Sequence, residues 1–210
     1  MSRLDRAGTT SDRMRERWNR RYASADPHST PVPSRFLVAE VSDLPPGRAL
    51  DLACGAGRNA VWLAERGWRV TAVDFSDVGL SMARELAEAR GTTVEWIEAD
   101  VLAWTATVNA YDLVCVLYLQ LPADERRAVL RLAANAVGPG GTLLVIGHDL
   151  LNLTEGSGGP TEPDVLFTPD EIVGEIGGLQ VEKAERVRRP ADDGVTPRDA
   201  IDALVRARRP

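Results

Sequence analysis

Lysine is nearly missing from this chain: Lys183 is the only one, so almost all of the 25 basic residues are arginines. That skew reads as compositional bias of the source genome and not as function. Cysteine is scarce as well. Cys54 and Cys115 each lie in or at the end of an apolar run, and two isolated thiols make neither a disulfide framework nor a metal site. They are expected to be buried as small hydrophobes. No stretch approaches the roughly 20 apolar residues of a membrane span. The polar N-terminus has no apolar signal segment, so a cytoplasmic location away from the membrane is expected. Positive charge is not in excess: the net charge is −6, which argues against a nucleic-acid partner, because such a partner demands a cationic face. What is present is ordinary for a globular protein. The 210 residues are 44% hydrophobic and 27% charged, enough for one α/β domain without staples.

The chain alternates strand and helix. Residues 1–11 are polar and read as flexible; residues 12–22 read as a helix that places Met14, Trp18 and Tyr22 on one face by their four-residue spacing. A Pro/Ser/Thr loop over 26–33 precedes a short helix at 34–41. Strands are then expected at 48–54, 69–75, 93–99, 111–119 and 142–147, with helices at 58–66, 77–90 and 123–137 between them. This rhythm means a parallel sheet with helices on both faces. A Gly/Pro/Thr loop over 150–167 is long enough to be a lid. A helix at 168–176 and two late strands, 180–189 and 200–208, flank a loop at 190–199 and suggest an antiparallel hairpin at one sheet edge. The division expected is residues 1–33 as a flexible segment with an aromatic lid helix, and 34–210 as the main domain.

The central motif runs Ala49-Leu50-Asp51-Leu52-Ala53-Cys54-Gly55-Ala56-Gly57-Arg58-Asn59-Ala60, where a strand ends and a helix begins. Glycines there let the backbone turn tightly and approach a ligand, beside the unpaired N–H groups of a helix start. Gly55-x-Gly57-x-x-Ala60 also fits the loose dinucleotide fingerprint, so an NAD(P)-dependent oxidoreductase is one reading. Asp51 weighs against it. A pyrophosphate has no use for a buried carboxylate aimed at its loop, whereas the ammonium of an amino-acid moiety does; the bland alternative is an Asp51 that only caps the loop. Asp74 ends the second strand, where an acid can accept from ribose hydroxyls. Asp100 ends the third, where it can accept from an adenine amino group with Val101 and Leu102 over the ring. One glycine loop and three acids at successive strand ends form a single crevice at the carboxyl edge of the sheet.

These motifs resemble those of class I S-adenosylmethionine-dependent methyltransferases: Leu50 to Gly57 the first, Val73-Asp74-Phe75-Ser76 the ribose motif, Ala99-Asp100-Val101 the adenine motif, and Gly138-Pro139-Gly140-Gly141-Thr142-Leu143 the turn before the fifth strand. The resemblance covers Arg48 to about Asp149. It implies a Rossmann-like, doubly wound sheet of seven mostly parallel strands with the last one antiparallel. It also implies S-adenosyl-L-methionine as methyl donor and S-adenosyl-L-homocysteine as product. Gly57-Arg58-Asn59, Trp18-Asn19-x-x-Tyr22 and the 156–163 segment before Leu166-Phe167-Thr168-Pro169 resemble the small tellurite-resistance and thiopurine-type methyltransferases, in which an N-terminal aromatic helix covers the methionine end of the cofactor. Carried over to this chain, the resemblance names Trp18, Tyr22, Asp51, Ala53, Gly55, Gly57, Asn59, Asp74, Phe75, Asp100, Val101 and Leu117 as cofactor-binding. For Trp18 and Tyr22, ordinary packing of a helix on the core is the competing account.

Methyl transfer is an in-line displacement in which the protein supplies orientation and electrostatics. An ionised soft nucleophile needs no base; an alcohol or amine does. His148, at the end of the fifth strand, is the candidate base, or else a histidine that ties down its loop. Tyr118, at the end of the fourth, is the second candidate catalytic residue, or else a packed ring with one hydrogen bond. His28, in the N-terminal loop, is expected to be solvated. Arg35, Arg186, Arg188 and Arg189 could steer an anionic acceptor. Leu117-Tyr118-Leu119-Gln120 lacks the Asn/Asp-Pro-Pro-Tyr/Phe signature of nucleobase amino methylases. The expected partner is a small-molecule acceptor with an S, Se, Te, O or N nucleophile, taken up by a monomer or homodimer, with a macromolecular acceptor as the rival.

Overall fold

The computed structural model describes residues 9–24, 31–191 and 198–210. In chain order the elements are α1 (Thr10–Ala23), α2 (Arg35–Val41), β1 (Arg48–Leu52), α3 (Arg58–Glu65), β2 (Arg69–Asp74), α4 (Asp77–Ala89), β3 (Glu95–Glu98), β4 (Tyr111–Leu117), α5 (Ala123–Ala136), β5 (Val137–His148), α6 (Asn152–Glu155), α7 (Pro169–Glu175), β6 (Gln180–Arg189) and β7 (Ala200–Arg208). One seven-stranded sheet has the order β3-β2-β1-β4-β5-β7-β6. The first five strands are parallel, and β7 runs antiparallel to both β5 and β6. This is the doubly wound sheet with its antiparallel hairpin that the sequence predicts.

Alternation along each strand sends side chains to two cores. Val114 and Val116 of β4, with Leu143 and Val145 of β5, pack under Val129 and Leu130 of α5 and Ile172 of α7. Leu113, Cys115, Leu144 and Ile146 face the other way, onto Leu37 of α2, Leu63 of α3 and Leu80 of α4. Both cysteines are buried and free, as expected. Helix α1 belongs to neither core.

The departures from expectation are local. Helix α1 starts at Thr10 and not Asp12, because Thr9 and Asp12 form a capping box: Thr9 Oγ1 accepts from Asp12 N at 3.1 Å and Asp12 Oδ2 from Thr9 N at 2.9 Å. Strand β1 stops at Leu52 and β4 at Leu117, each two residues early, because Ala53 and Tyr118 take left-handed conformations with φ of 58°. Strand β5 starts at Val137, five residues early: Val137 pairs with Tyr111, and the ladder slips a register before Thr142 pairs with Leu113. Strand β3 is shorter than expected. The 150–167 segment is not a structureless loop, since it holds α6 and a 3₁₀ turn at Pro163–Val165, and Asp149 bridges to Phe167. Of the expected flexible segments, residues 1–8, 25–30 (with His28) and 192–197 lie outside the described residues.

Candidate functional site

A cavity of about 650 Å³ opens at the carboxyl edge of the parallel strands. Its floor is the β1–α3 loop. Gly55 there has φ of 56°, and a side chain at Gly55 would run into the hydroxyl of Tyr22. Asp74 is buried and already engaged: Oδ2 accepts from Gly55 N and Oδ1 from Ser76 N, both at 2.8 Å. Burial raises its pKa, and the backbone N–H groups of Ser76, Gly55 and Phe75 oppose that shift. The carboxylate thereby shapes the glycine loop and keeps its remaining lone pairs for the cavity. Asp100 accepts from Leu102 N at 2.9 Å and from Ser11 Oγ at 2.5 Å.

Helix α1 roofs this end. Asn19 accepts from Ser76 Oγ at 2.6 Å and donates to Asp77 Oδ1 at 2.7 Å. Trp18 and Tyr22 stack with centroids 5.7 Å apart and line the cavity. No residue of α1 is fully buried, and neither aromatic joins a core cluster. Tyr22 nevertheless packs on α4, with its ring against Gly79. The phenol of Tyr22 is pushed well above its ordinary pKa by burial and by the neighbouring Asp74.

Of the residues the sequence singles out, Trp18, Tyr22, Ala53, Gly55, Asn59, Asp74, Phe75, Asp100, Val101, Leu117, Tyr118 and His148 line the cavity. Asp51 and Gly57 do not. Asp51 lies beneath the loop, 1% exposed, with Oδ2 bonded to nothing; burial and the like charge of Asp74 raise its pKa to about 7. Gly57 begins α3 with φ of 77°, and a Cβ there would lie 2.6 Å from Ala83 Cβ and 2.7 Å from Trp96 Cη2. It serves close helix–strand packing. Asn59 Oδ1 accepts from Ser34 N at 2.9 Å, which ties α3 to the start of α2.

The far end of the cavity holds a cluster built on Asp202. Its Oδ2 accepts from the Tyr118 hydroxyl and from Arg189 Nε, both at 2.8 Å, and its Oδ1 lies 3.3 Å from His148 Nδ1. Burial acts to raise the Asp202 pKa, but His148, Arg189 and Tyr118 outweigh it and hold the carboxyl below its ordinary value. Burial, then the charge of Asp202, pushes the Tyr118 phenol far up. A phenol that donates to a buried carboxylate is not a proton acceptor at neutral pH, which removes Tyr118 as a base. Sequence reasoning missed Asp202. The only sequence signal was a lone acid in a largely apolar strand; its place opposite His148 comes from the β5–β7 register. Arg189 lines the cavity, but its guanidinium is engaged with Asp202, and Arg186 pairs with Asp149 at 2.9 Å. The 150–167 segment contributes nothing to the lining, which overturns its reading as a lid. Asn152 fastens it to β7 by accepting from Ile201 N at 2.8 Å, and the Phe167 ring fills the space over Gly147. Residues 31–35 and 189–190 take its place at the rim.

Known proteins agree with this architecture. Residues 49–141 match the family model described as a methyltransferase domain. The demethylmenaquinone methyltransferase of Thermus thermophilus is 40% identical over 104 residues, 48% of this chain and 47% of that protein. The chain spans about half the length of the curated relatives it matches. Among solved structures, the N-methyltransferase NodS of Bradyrhizobium japonicum, in complex with S-adenosyl-L-homocysteine, superposes with a TM-score of 0.70 at 17% identity, over 93% of this chain and 97% of that one. TehB of Haemophilus influenzae gives 0.69 at 17% identity, over 83% and 62%. At these identities the structural likeness concerns the fold. No helix among the described residues is long and apolar enough to cross a membrane.

Proposed function

From the premise that this chain carries a class I S-adenosylmethionine-dependent methyltransferase domain, we propose that it transfers a methyl group to a small molecule. One observation carries the reading. A single cavity joins Gly55, Asp74 and Asp100 at one end to Tyr118 and His148 at the other, with α1 lying across it.

The residues present suit the adenosyl donor. Asp74 retains lone pairs for ribose hydroxyls, Asp100 sits where an adenine amino group can be accepted, and Phe75, Val101 and Leu102 offer apolar cover for the ring. The Tyr22 hydroxyl occupies the space over Gly55, and the unpartnered Oδ2 of Asp51 lies beneath the loop, outside the cavity wall, where its charge can answer an ammonium only through the loop. Bound there, S-adenosylmethionine supplies an electrophilic methyl on a sulfonium. The roof and apolar walls exclude water and fix the dipoles around the reacting atoms. The oxidoreductase reading loses support: Gly57 faces Ala83 and Trp96, and Ala60 is buried in the core. The roof also favours a compact acceptor over a macromolecular one.

The test is transfer of label from methyl-labelled S-adenosylmethionine to a panel of thiol, phenol, amine and oxyanion acceptors, alongside thermal stabilisation by S-adenosylhomocysteine and by NAD. Stabilisation by the homocysteine product and labelling of a panel member are expected. Stabilisation by NAD alone would overturn the reading.

A further inference from the structure

His148 and Asp202 sit opposite one another on β5 and β7. Three features fix the histidine ring. Nδ1 lies 3.3 Å from Asp202 Oδ1, within ion-pair distance but without hydrogen-bond geometry, and both atoms are sealed from solvent with no hydrogen-bond partner. A side chain at Gly159 would come within 2.8 Å of Nδ1 and 2.9 Å of Cε1, so that backbone closes the space behind the ring. The Tyr118 ring lies 5.3 Å away on another side. With Nδ1 turned to a buried carboxylate and the ring lining the cavity, Nε2 is the nitrogen left for the cavity. A carboxylate beside Nδ1 selects the tautomer with the proton there, which leaves the lone pair on Nε2. Asp202 is itself held by Tyr118 and Arg189, so it is kept ionised and cannot turn away.

We infer that Asp202 is the positioning residue of a His148 general base, and that the acceptor is a small apolar molecule whose methylated group is a weakly acidic hydroxyl of the phenol or hydroxylated-heterocycle class. This rests on the methyl-transfer reading above. A base requires an acceptor that must shed a proton, a hydroxyl or an amine, and excludes one already ionised, such as a thiolate; we take the hydroxyl, and labelling of amines alone in the acceptor panel would overturn that choice. The apolar body follows from Val32, Pro33, Leu117, Leu119 and Leu121 in the walls. In the step, the acceptor O–H proton passes to Nε2 and the oxygen lone pair forms the bond to the methyl carbon. The electron pair of the sulfur–methyl bond stays on sulfur. The imidazolium is offset by Asp202 and later loses its proton to solvent.

The experiment uses Asp202→Asn in the full chain. With its oxygen kept by Tyr118 and Arg189, the amide would present N–H groups to Nδ1 and reverse the tautomer. Nitrogen-15 NMR of the histidines is expected to show the His148 proton on Nδ1 in the wild type and on Nε2 in the variant. The kcat for phenolic acceptors is expected to fall ~10²–10⁴-fold, with the Kd for S-adenosylhomocysteine unchanged and transfer to a pre-ionised thiolate nearly unaffected. His148→Gln is expected to show the same split, and it serves if the Asn variant does not fold. Phenol methylation that neither variant slows would overturn the inference and leave the methyl-transfer reading standing. A wild-type protein that methylates no acceptor at all would overturn both.

Discussion

Ser11 Oγ donates to Asp100 Oδ2 at 2.5 Å, so the first turn of α1 is fastened to a carboxylate of the candidate cofactor site. Farther along the same helix, Asn19 is bonded to Ser76 and Asp77, next to Asp74. The roof is held by polar contacts to the site together with the Tyr22 ring packed against Gly79 of α4.

Deleting residues 1–24 is therefore expected to leave the sheet folded. Neither core loses a member, so the Tm should change by no more than a few degrees. Calorimetry should show S-adenosylhomocysteine binding weakened by more than tenfold, and turnover should disappear. A globally unfolded deletion protein would show that α1 is a structural element, and that residues 1–33 are wrongly set apart from the main domain.

The two glycines of the loop are expected to separate by phenotype. At Gly57 an added methyl meets Ala83 Cβ at 2.6 Å and Trp96 Cη2 at 2.7 Å with φ at 77°, and both neighbours are embedded in packing. Gly57→Ala should cost about 1–3 kcal/mol of stability by overpacking and left-handed strain. At Gly55 the added methyl meets only the Tyr22 side chain on the detachable roof. Gly55→Ala should lose less stability and more ligand affinity. Denaturant melts and calorimetry on both proteins check this, and equal effects on stability would undo the distinction.

Much of this was legible in the sequence because strand–helix alternation and strand-end motifs are local signals. The turn at Gly55, the acids at Asp74 and Asp100, and the antiparallel hairpin all follow from short stretches read in order. What was not legible depends on register and packing between distant segments. Asp202 becomes part of a site only when β7 aligns it with His148, which no local pattern encodes. The 150–167 segment has the composition of a lid, yet Asn152 and Phe167 fasten it to the sheet through partners far along the chain. Gly57 matches a ligand-binding pattern while its space is taken by α4 and β3.

Asp51 gives the last prediction. Its carboxyl is buried, one oxygen has no partner, and burial with the nearby Asp74 raises its pKa to about 7. The ordinary value for an aspartate is about 3.9. Between these two values the unfolded chain has released the proton and the folded protein still holds it. The folded state then binds more protons than the unfolded one, so its stability falls as pH rises from about 4 to about 7. Below that window both states are protonated and there is no differential; above it both are ionised and the full penalty applies. Asp51→Asn removes the titration while keeping the shape. Its Tm relative to wild type should be near zero or negative at pH 4, rise through pH 5–7, and level off above pH 8, where the variant should be the more stable by on the order of 1–3 kcal/mol. Saturating S-adenosylhomocysteine should shrink this gain if its ammonium favours the ionised carboxylate. Parallel Tm-against-pH curves for the two proteins without ligand would mean that Asp51 is ionised throughout, and would remove it as a group poised to answer the charge of the cofactor.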